Sequence, residues 1–240
     1  MSPGDNIYSQ NPKSIRVLDT YCYLLPCRDG YLLVDTGYPG KWKAFEKGLE
    51  RINIRTSEIR YIFLTHHHND HSGLVSEIRG RTGAPLIVHR EEVVPLSKGI
   101  SIVGKSVNRF VHIAKKIYSI FTDYTYPPVK IRENDHLVDG DDQELLHGIG
   151  CDGIILHTPG HTKGSLSILL PGGTLIAGDA VTGFSKTMFA SPLPIIIDSM
   201  DDLFCSWQKI KSRGVHTLLP SHGRAVSIDE LIFRNPWKRK

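Results

Sequence analysis

The sequence is poor in cysteine and has no long apolar run. Its 240 residues include four cysteines, Cys22, Cys27, Cys151 and Cys205, and no two of them form a C-x-x-C pair. This usage predicts reduced, mostly buried thiols rather than a disulfide framework. No stretch approaches the roughly 18 apolar residues of a membrane span, and no basic segment followed by an apolar core begins the chain. We therefore expect a cytoplasmic protein without membrane contact.

A large excess of one charge is also missing. The chain has 29 Lys and Arg against 25 Asp and Glu, a formal net charge of +4, and the last residues, Trp237-Lys238-Arg239-Lys240, hold part of that excess. Such a tail is usually solvated, so nucleic acid is not an expected partner. A chain of 240 residues with 40% hydrophobic residues suits one large domain, and no linker divides residues 1–240.

Short apolar runs bounded by glycine, proline and polar residues predict a series of buried strands. The runs cover residues 31–34, 61–64, 86–89, 153–157, 166–170, 174–177 and 217–219. Residues 42–52 place Phe45 and Leu49 on one face of a helix. Ser199, followed by acidic residues, predicts the N-cap of a second helix that ends near Gly214. Both helices are predicted to lie in an outer layer.

A histidine-rich segment follows the apolar run at 61–64. Residues 65–73 read Thr-His-His-His-Asn-Asp-His-Ser-Gly. In an extended chain residues i and i+2 point the same way, so His66 and His68 can bind one ion while His67 points elsewhere. Asp70 and His71 fall at a predicted strand-to-helix corner, where they can reach a second ion. Because each unpaired buried polar group costs roughly several kcal/mol, a metal is the expected partner of this segment.

Further candidate ligands stand beside glycine or proline near apolar runs. They are His161 in Pro159-Gly160-His161, Asp179 in Gly178-Asp179 and His222 in Ser221-His222-Gly223. Loops at strand ends, held by a rigid sheet, are where functional sites are usually built. The other histidines are predicted to be structural or exposed: His67, His89, His112, His136, His147, His157 and His216.

In these motifs the chain resembles the metallo-β-lactamase superfamily. Five family elements occur in the expected order: Val34-Asp35-Thr36-Gly37, the H-x-H-x-D-H pattern at 66–71, Pro159-Gly160-His161, Gly178-Asp179 and Ser221-His222-Gly223. The resemblance implies an α+β fold, a four-layer αββα sandwich with a dinuclear metal site at the edge of its two sheets. Within the superfamily, the motif pattern is most similar to the glyoxalase II-like and lactonase-like members.

The same resemblance implies a role for each motif residue. It assigns one metal ion to His66, His68 and His161, the other to Asp70, His71 and His222, and the bridging position to Asp179. Asp35 would hold the loops of the site rather than bind a metal. Two divalent ions are thus expected as cofactors, with zinc favoured by the imidazole and carboxylate ligands and iron or manganese as alternatives.

The expected chemistry follows from the charge of such a centre. Two divalent ions, two aspartates and five neutral histidines leave a net charge of +2, so a bridging water loses a proton readily. The resulting hydroxide would attack a carbonyl carbon of a small-molecule ester, lactone or thioester, and Asp70 would be catalytic by passing the proton to the leaving group. Two alternatives remain open: a mononuclear iron sulfur dioxygenase and a phosphodiesterase of the same superfamily.

An apolar insertion separates the second and third ligand motifs. Within residues 93–128 the apolar side chains recur at helical spacing, at Val103, Val107, Phe110, Val111, Ala114, Ile117 and Phe121. This pattern fits a helical lid over the metal site. It fits equally an ordinary packed helix or a contact in a homodimer.

Overall fold

The structure, a computed structural model, describes residues 12–106, 124–184 and 192–231. Its strands are β1 (Lys13–Val17), β2 (Thr20–Cys27), β3 (Gly30–Val34), β4 (Ile59–Phe63), β5 (Leu86–His89), β6 (Lys105–Ser106), β7 (His136–Val138), β8 (Ile154–His157), β9 (Leu166–Leu170), β10 (Thr174–Gly178), β11 (Ile196–Ile197), β12 (Thr217–Pro220) and β13 (Val226–Ser227). Its α-helices are α1 (Trp42–Arg51), α2 (Asn69–Ser72), α3 (Val75–Thr82), α4 (Val93–Lys98), α5 (Leu145–Gly148) and α6 (Met200–Ser212). Short 3-10 turns occupy Thr56–Glu58, Arg90–Glu92 and Ile228–Glu230.

Two mixed sheets contain most of the strands. The larger sheet has the order β1-β2-β3-β4-β5-β7, and the smaller has the order β13-β12-β10-β9-β8. In the larger sheet β1, β2 and β3 are antiparallel neighbours, whereas β3, β4, β5 and β7 run parallel. In the smaller sheet β10 and β12 are parallel and the other neighbours antiparallel. A separate pair joins β6 to β11.

The alternation of side chains along each strand divides the core into three apolar layers. Between the sheets, Leu32 and Val34 of β3 belong to one buried cluster with Ile168 and Ile176 of the smaller sheet. On the outer face of the larger sheet, α1 and α3 contribute to a second cluster. On the outer face of the smaller sheet, α6 contributes to a third, which includes the fully buried Trp207. The result is the four-layer αββα sandwich expected from the resemblance.

A buried ion pair closes one end of the larger sheet. The Arg79 guanidinium on α3 donates to both carboxylate oxygens of Asp135, at 2.8 and 3.0 Å. The Asp135 carboxylate also accepts the backbone N–H groups of Leu86 and Arg132, at 2.8 and 2.7 Å. Because both charges are almost fully buried, each depends on the other for compensation.

Most predicted elements agree with the structure, and three points differ. All seven predicted strands occur, but β1, β2, β6, β7, β11 and β13 were not predicted. Asp70 and His71, predicted at the corner before a helix, already lie within the short helix α2, because the carbonyl of His68 accepts the N–H groups of His71 and Ser72 before α3 starts. The thiols are all free, as predicted, but only Cys22 and Cys151 are buried.

The predicted insertion at 93–128 is described in part. Its first residues form α4, and Lys105–Ser106 forms the strand β6. Most of its predicted helical spacing, with His112, lies outside the described residues, as does the basic C-terminal segment, so the lid stays a prediction. Within the described ranges, no helix combines the length and the apolar character needed to cross a membrane.

Candidate metal centre

The candidate residues meet where strands of both sheets end. Asp35 follows β3 and Thr65 follows β4 after one residue, and these parallel strands end at the same edge of their sheet. The N–H of Leu166 in the smaller sheet donates to the carbonyl of Thr65 at 2.9 Å and ties the two edges together. Gly178, at φ +54°, lies so near that a Cβ there would be 2.7 Å from the Cβ of Thr65. A side chain at position 178 would force the two sheets apart at this edge.

Three histidine nitrogens converge at one end of the centre. The Nε2 atom of His161 lies 3.1 Å from Nε2 of His66 and 3.0 Å from Nδ1 of His68. All three side chains are buried. As the i and i+2 rule predicted, His66 and His68 point to the same side, while His67 turns to the carboxylate of Glu92. These three nitrogens could hold one metal ion.

Asp70, His71 and His222 form a second group beside the first. The Oδ2 atom of Asp70 lies 3.0 Å from Nε2 of His222 and 3.4 Å from Nε2 of His71. Asp179 lies between the two groups. Its Oδ1 atom is 3.7 Å from Nε2 of both His71 and His222, and its Oδ2 atom is 3.7 Å from Nε2 of His161. The structure therefore brings together all seven predicted ligands, with Asp179 presenting one oxygen to each group.

The ring nitrogens that face away from the centre have hydrogen-bond acceptors. His68 donates through Nε2 to the carbonyl of Ile102 at 3.1 Å, and His161 donates through Nδ1 to the carbonyl of Ile196 at 2.7 Å. The Nδ1 atom of His222 lies 3.2 Å from a backbone carbonyl, that of Asp19. A proton on the outer nitrogen leaves the lone pair of the inner nitrogen free for a ligand, as in metal-bound imidazoles.

Asp35 is the hydrogen-bond acceptor for the outer nitrogen of His71. Its Oδ2 atom accepts from Nδ1 of His71 at 2.8 Å, and its Oδ1 atom accepts the backbone N–H of Thr65 at 2.9 Å. The hydroxyl groups of Thr65 and Ser221 also donate to Oδ2, at 2.8 and 3.3 Å. Asp35 is fully buried and binds segments from both sheets. This is the position expected for a residue that holds the site loops.

Two buried atoms of the centre have no hydrogen-bond partner, and they provide a test of whether a cation fits. They are Nε2 of His71 and Oδ1 of Asp179. Buried polar atoms are nearly always paired, and a cation bound between the two groups would give both atoms a partner. Imidazole nitrogens and carboxylate oxygens are ligands of zinc and of other divalent transition metals. The residues present fit such ions.

Burial and mutual repulsion keep the first group neutral. Burial lowers the pKa of His66 and of His161 well below the usual value, and the neighbouring imidazoles lower it further. The same causes, burial first and His67 second, lower the pKa of His68 to about 4. Neutral imidazoles are the form that binds a metal ion. At neutral pH these three side chains need no deprotonation before binding.

The second group carries charge. Burial opposes ionisation of Asp70, but His71 and a hydrogen bond from His222 outweigh it and hold the pKa of Asp70 well below its usual range. Burial lowers the pKa of His222, but Asp179 and Asp70 outweigh it and raise the pKa to about 9. Burial raises the pKa of Asp179 itself. Without a cation, then, the carboxylates depend on protonated histidines for compensation.

Several groups around the ligands have little or no sequence signal. Glu92 is 1% exposed and accepts hydrogen bonds from His67, yet it stands in the run Arg90-Glu91-Glu92, which is typical of a solvated helix start. Thr65 begins the histidine-rich segment, but the sequence did not predict its hydrogen bonds to Asp35. The carbonyl groups of Ile102 and Ile196 give no sequence signal, because every residue has one.

Comparison with known proteins agrees with this architecture. Residues 15–222 match the family model of the metallo-beta-lactamase superfamily. A probable metallo-hydrolase of Methanocaldococcus jannaschii is 27% identical over 192 residues, which cover 80% of this chain and 82% of that protein. An N-acyl homoserine lactonase of a Bacillus species is 26% identical over 210 residues, covering 76% of this chain and 71% of that protein.

Solved structures share the fold at lower identity. A subclass B3 metallo-beta-lactamase of Bradyrhizobium japonicum gives a TM-score of 0.62 at 22% identity, with 88% of this chain and 75% of that chain covered. The αββα sandwich is the architecture that these relatives share, and in this chain its sheet edge has a histidine and aspartate cluster that could hold metal ions. More particularly, because the family model spans most of its length, the chain belongs to the metallo-β-lactamase superfamily.

Proposed function

We propose that this protein is a dinuclear, zinc-dependent hydrolase that cleaves a carbonyl substrate, an ester, a lactone or a thioester. The observation that carries the proposal is the placement of Asp179. Its two oxygens face different ligand groups, Oδ1 towards His71 and His222 and Oδ2 towards His161, each at 3.7 Å. A carboxylate that serves two groups in this way suits a pair of ions better than a single one.

Zinc is the metal that the ligand set favours. The centre offers five imidazoles and two carboxylates, and no cysteine belongs to any ligand group in the described residues. Neutral imidazole nitrogens with carboxylate oxygens suit zinc, and they suit iron and manganese less selectively. The low pKa values of the histidines in the first group favour a metal that binds neutral imidazole at neutral pH.

In the proposed reaction the metal ions and the side chains have different roles. When bound, the ions would supply Lewis acidity to a carbonyl oxygen and to the attacking water. The chain itself supplies a carrier for the proton. Of the three carboxylates at the site, that of Asp70 is the most exposed, at 17% against 11% for Asp179 and 1% for Asp35. Asp70 therefore has the access needed to pass a proton to a leaving group.

Apolar side chains beside the centre favour a substrate with an apolar group. Ile102 is 51% exposed, and its backbone carbonyl accepts from Nε2 of His68. On the other side, the ring of Phe184 stacks near that of His222, with centroids 6.2 Å apart. Contact with apolar surface of this kind favours an acyl chain or an aryl group over a phosphodiester. The similarity to a lactonase places lactones in the first set of compounds to test.

The proposal is tested by metal analysis coupled to a hydrolysis panel. Protein purified without added metal is analysed for zinc, iron and manganese, and then assayed with lactones, thioesters, aryl esters and a bis-nitrophenyl phosphate. We expect about two zinc ions per chain and hydrolysis of a carbonyl compound. The matched variants are Asp179→Asn, expected to lose at least one ion, and His147→Gln, an exposed histidine outside the centre that should change neither result.

Three results would contradict the proposal. One iron and no zinc per chain would favour the sulfur dioxygenase alternative. Turnover of the phosphodiester alone would favour the phosphodiesterase. Failure to retain any divalent ion after incubation with zinc would contradict the proposal that these residues bind metal.

A further inference from the structure

A buried carboxylate lies behind the three-histidine group without belonging to it. Glu92 accepts four hydrogen bonds. Its Oε2 atom accepts from the backbone N–H of His67 at 2.9 Å and from the Nδ1 atom of the same residue. Its Oε1 atom accepts from the hydroxyl of Thr162 and from the backbone N–H of Gly164, both at 2.8 Å. Every partner is a donor, so the site requires a group that only accepts.

The two oxygens of Glu92 bind two different ligand segments. His67 stands between His66 and His68, and Thr162 directly follows His161. One carboxylate therefore fixes the backbone of both segments that supply the nitrogens of the first group. The Nε2 atom of His161 lies 3.1 Å from the nitrogen of His66 and 3.0 Å from that of His68, a spacing that requires the two segments to keep their relative position.

The network continues from Glu92 to a ligand nitrogen. The Nε2 atom of His67 accepts the backbone N–H of Ile102 at 3.0 Å, so its proton lies on Nδ1, where Glu92 accepts it. The carbonyl of the same Ile102 accepts from Nε2 of His68 at 3.1 Å. His67 and Ile102 thus connect Glu92 to the outer nitrogen of His68. The proton of neutral His68 therefore lies on Nε2, and the lone pair of its inner nitrogen, Nδ1, is free to bind a metal ion.

Glu92 packs closely against Gly164. A Cβ at Gly164 would lie 2.5 Å from Oε1 of Glu92 and 2.8 Å from its Cγ, so a side chain at position 164 would displace the carboxylate. Glycine at position 164 is therefore required by the carboxylate. The Glu92 side chain and the loop after His161 are fitted to each other.

We propose that Glu92 is a positioning residue of the metal centre, whose carboxylate sets the spacing of the three-histidine group and the tautomer of His68. The inference rests on the proposed metal-dependent function and concerns a residue that binds no ion itself. It differs from a purely structural role, because the partners of Glu92 lie on the ligand segments at both sides of the group.

The test is the substitution Glu92→Gln in the full-length protein. Glutamine keeps the shape but replaces one acceptor oxygen by an amide nitrogen, which would face two donors. We expect the metal-free variant to fold, by circular dichroism, and to bind cobalt(II) alone about 10 to 100 times more weakly than the wild type. The visible absorption of the cobalt complex should change, because ligand geometry determines it. Glu91→Gln, an exposed neighbour, should bind cobalt(II) like the wild type.

A second variant keeps the inference testable if Glu92→Gln does not fold. Thr162→Val removes one hydrogen-bond donor to Glu92 and leaves the charge of the Glu92 carboxylate in place. It should therefore weaken cobalt(II) binding, but by less than Glu92→Gln does. Wild-type affinity together with a wild-type cobalt spectrum in folded Glu92→Gln, or in Thr162→Val if only that variant folds, would overturn the inference alone. A wild-type protein that binds neither zinc nor cobalt would overturn the proposed function and this inference together.

Discussion

Zinc should stabilise this protein by an amount that can be calculated. The seven ligands come from both sheets, so the unfolded chain cannot present them together, and an ion that binds only the native state stabilises it by linkage. At free zinc about 1,000 times above Kd, one ion contributes about 4.1 kcal/mol. For a chain of 150–250 residues, 1 kcal/mol shifts the Tm by about 2–4 °C. One ion should therefore raise the Tm of the metal-free protein by about 8–16 °C.

The variant Asp179→Asn distinguishes zinc bound at this centre from non-specific stabilisation by zinc. Burial raises the pKa of Asp179, so its charge is unfavourable in the metal-free protein. Removing the charge should leave the metal-free Tm unchanged or higher, while the increase caused by zinc should fall by more than half. His147→Gln is the control, because this exposed histidine lies outside every ligand group.

Differential scanning calorimetry in zinc buffers of known free concentration is the appropriate assay. A wild-type Tm that stays within about 1 °C at saturating zinc, cobalt, iron and manganese would refute the reasoning. An equal increase in wild type and Asp179→Asn would instead place the ion elsewhere in the protein.

Three further predictions concern the proton carrier, the fold and the thiols. Asp70→Asn should keep much of its metal but lose turnover by about 100-fold or more, measured by steady-state kinetics with metal analysis of the same sample. Asp135→Asn, which leaves the buried Arg79 uncompensated, should lower the free energy of unfolding by about 3–5 kcal/mol in urea titrations. Iodoacetamide at pH 8 should modify the exposed Cys205 of the native protein before Cys151, because burial raises the pKa of Cys151 to about 12.

Each of these predictions has an outcome that contradicts it. Turnover like that of the wild type, with metal retained, would remove Asp70 from proton transfer. For the ion pair, Glu77→Gln on the exposed side of the same helix is the control and should cost about 0.5 kcal/mol or less. An equal cost for both variants would mean that burial does not matter there. Modification of Cys151 as fast as Cys205 in the native state would contradict the burial argument.

The elements that sequence predicted are those with an unbroken apolar signal. The runs at β4 and β5 contribute buried residues to the apolar clusters on both faces of the larger sheet, which is why continuous hydrophobicity identified them. β2 lies between β1 and β3, yet Pro26 near its end is a residue that argues against a central strand. β1 has only two apolar residues, Ile15 and Val17, which is too short a pattern to predict a strand, and its pairing with β2 comes from tertiary structure.

The candidate site was predictable to the extent that its residue types are rare in buried positions. The histidines and aspartates of the motifs could be recognised in the sequence, because such side chains beside apolar strands need a partner. Glu92 could not be identified, because an acidic residue at the start of a helical turn is ordinary. Its function as an acceptor depends on Thr162 and Gly164, about 70 residues away along the chain. Only the fold brings these groups together.

The division of the ligands between the two sheets has a consequence for how the molecule is assembled. Each triad takes two members, His66 and His68 or Asp70 and His71, from the first half of the sequence. The third member of each, His161 or His222, comes from the second half. Among the described residues, no triad is complete within one half of the sequence. Ion occupancy therefore reports whether the two halves have docked. A chain still being synthesised could complete the first triad only after His161 has emerged, and the second only after His222 has emerged.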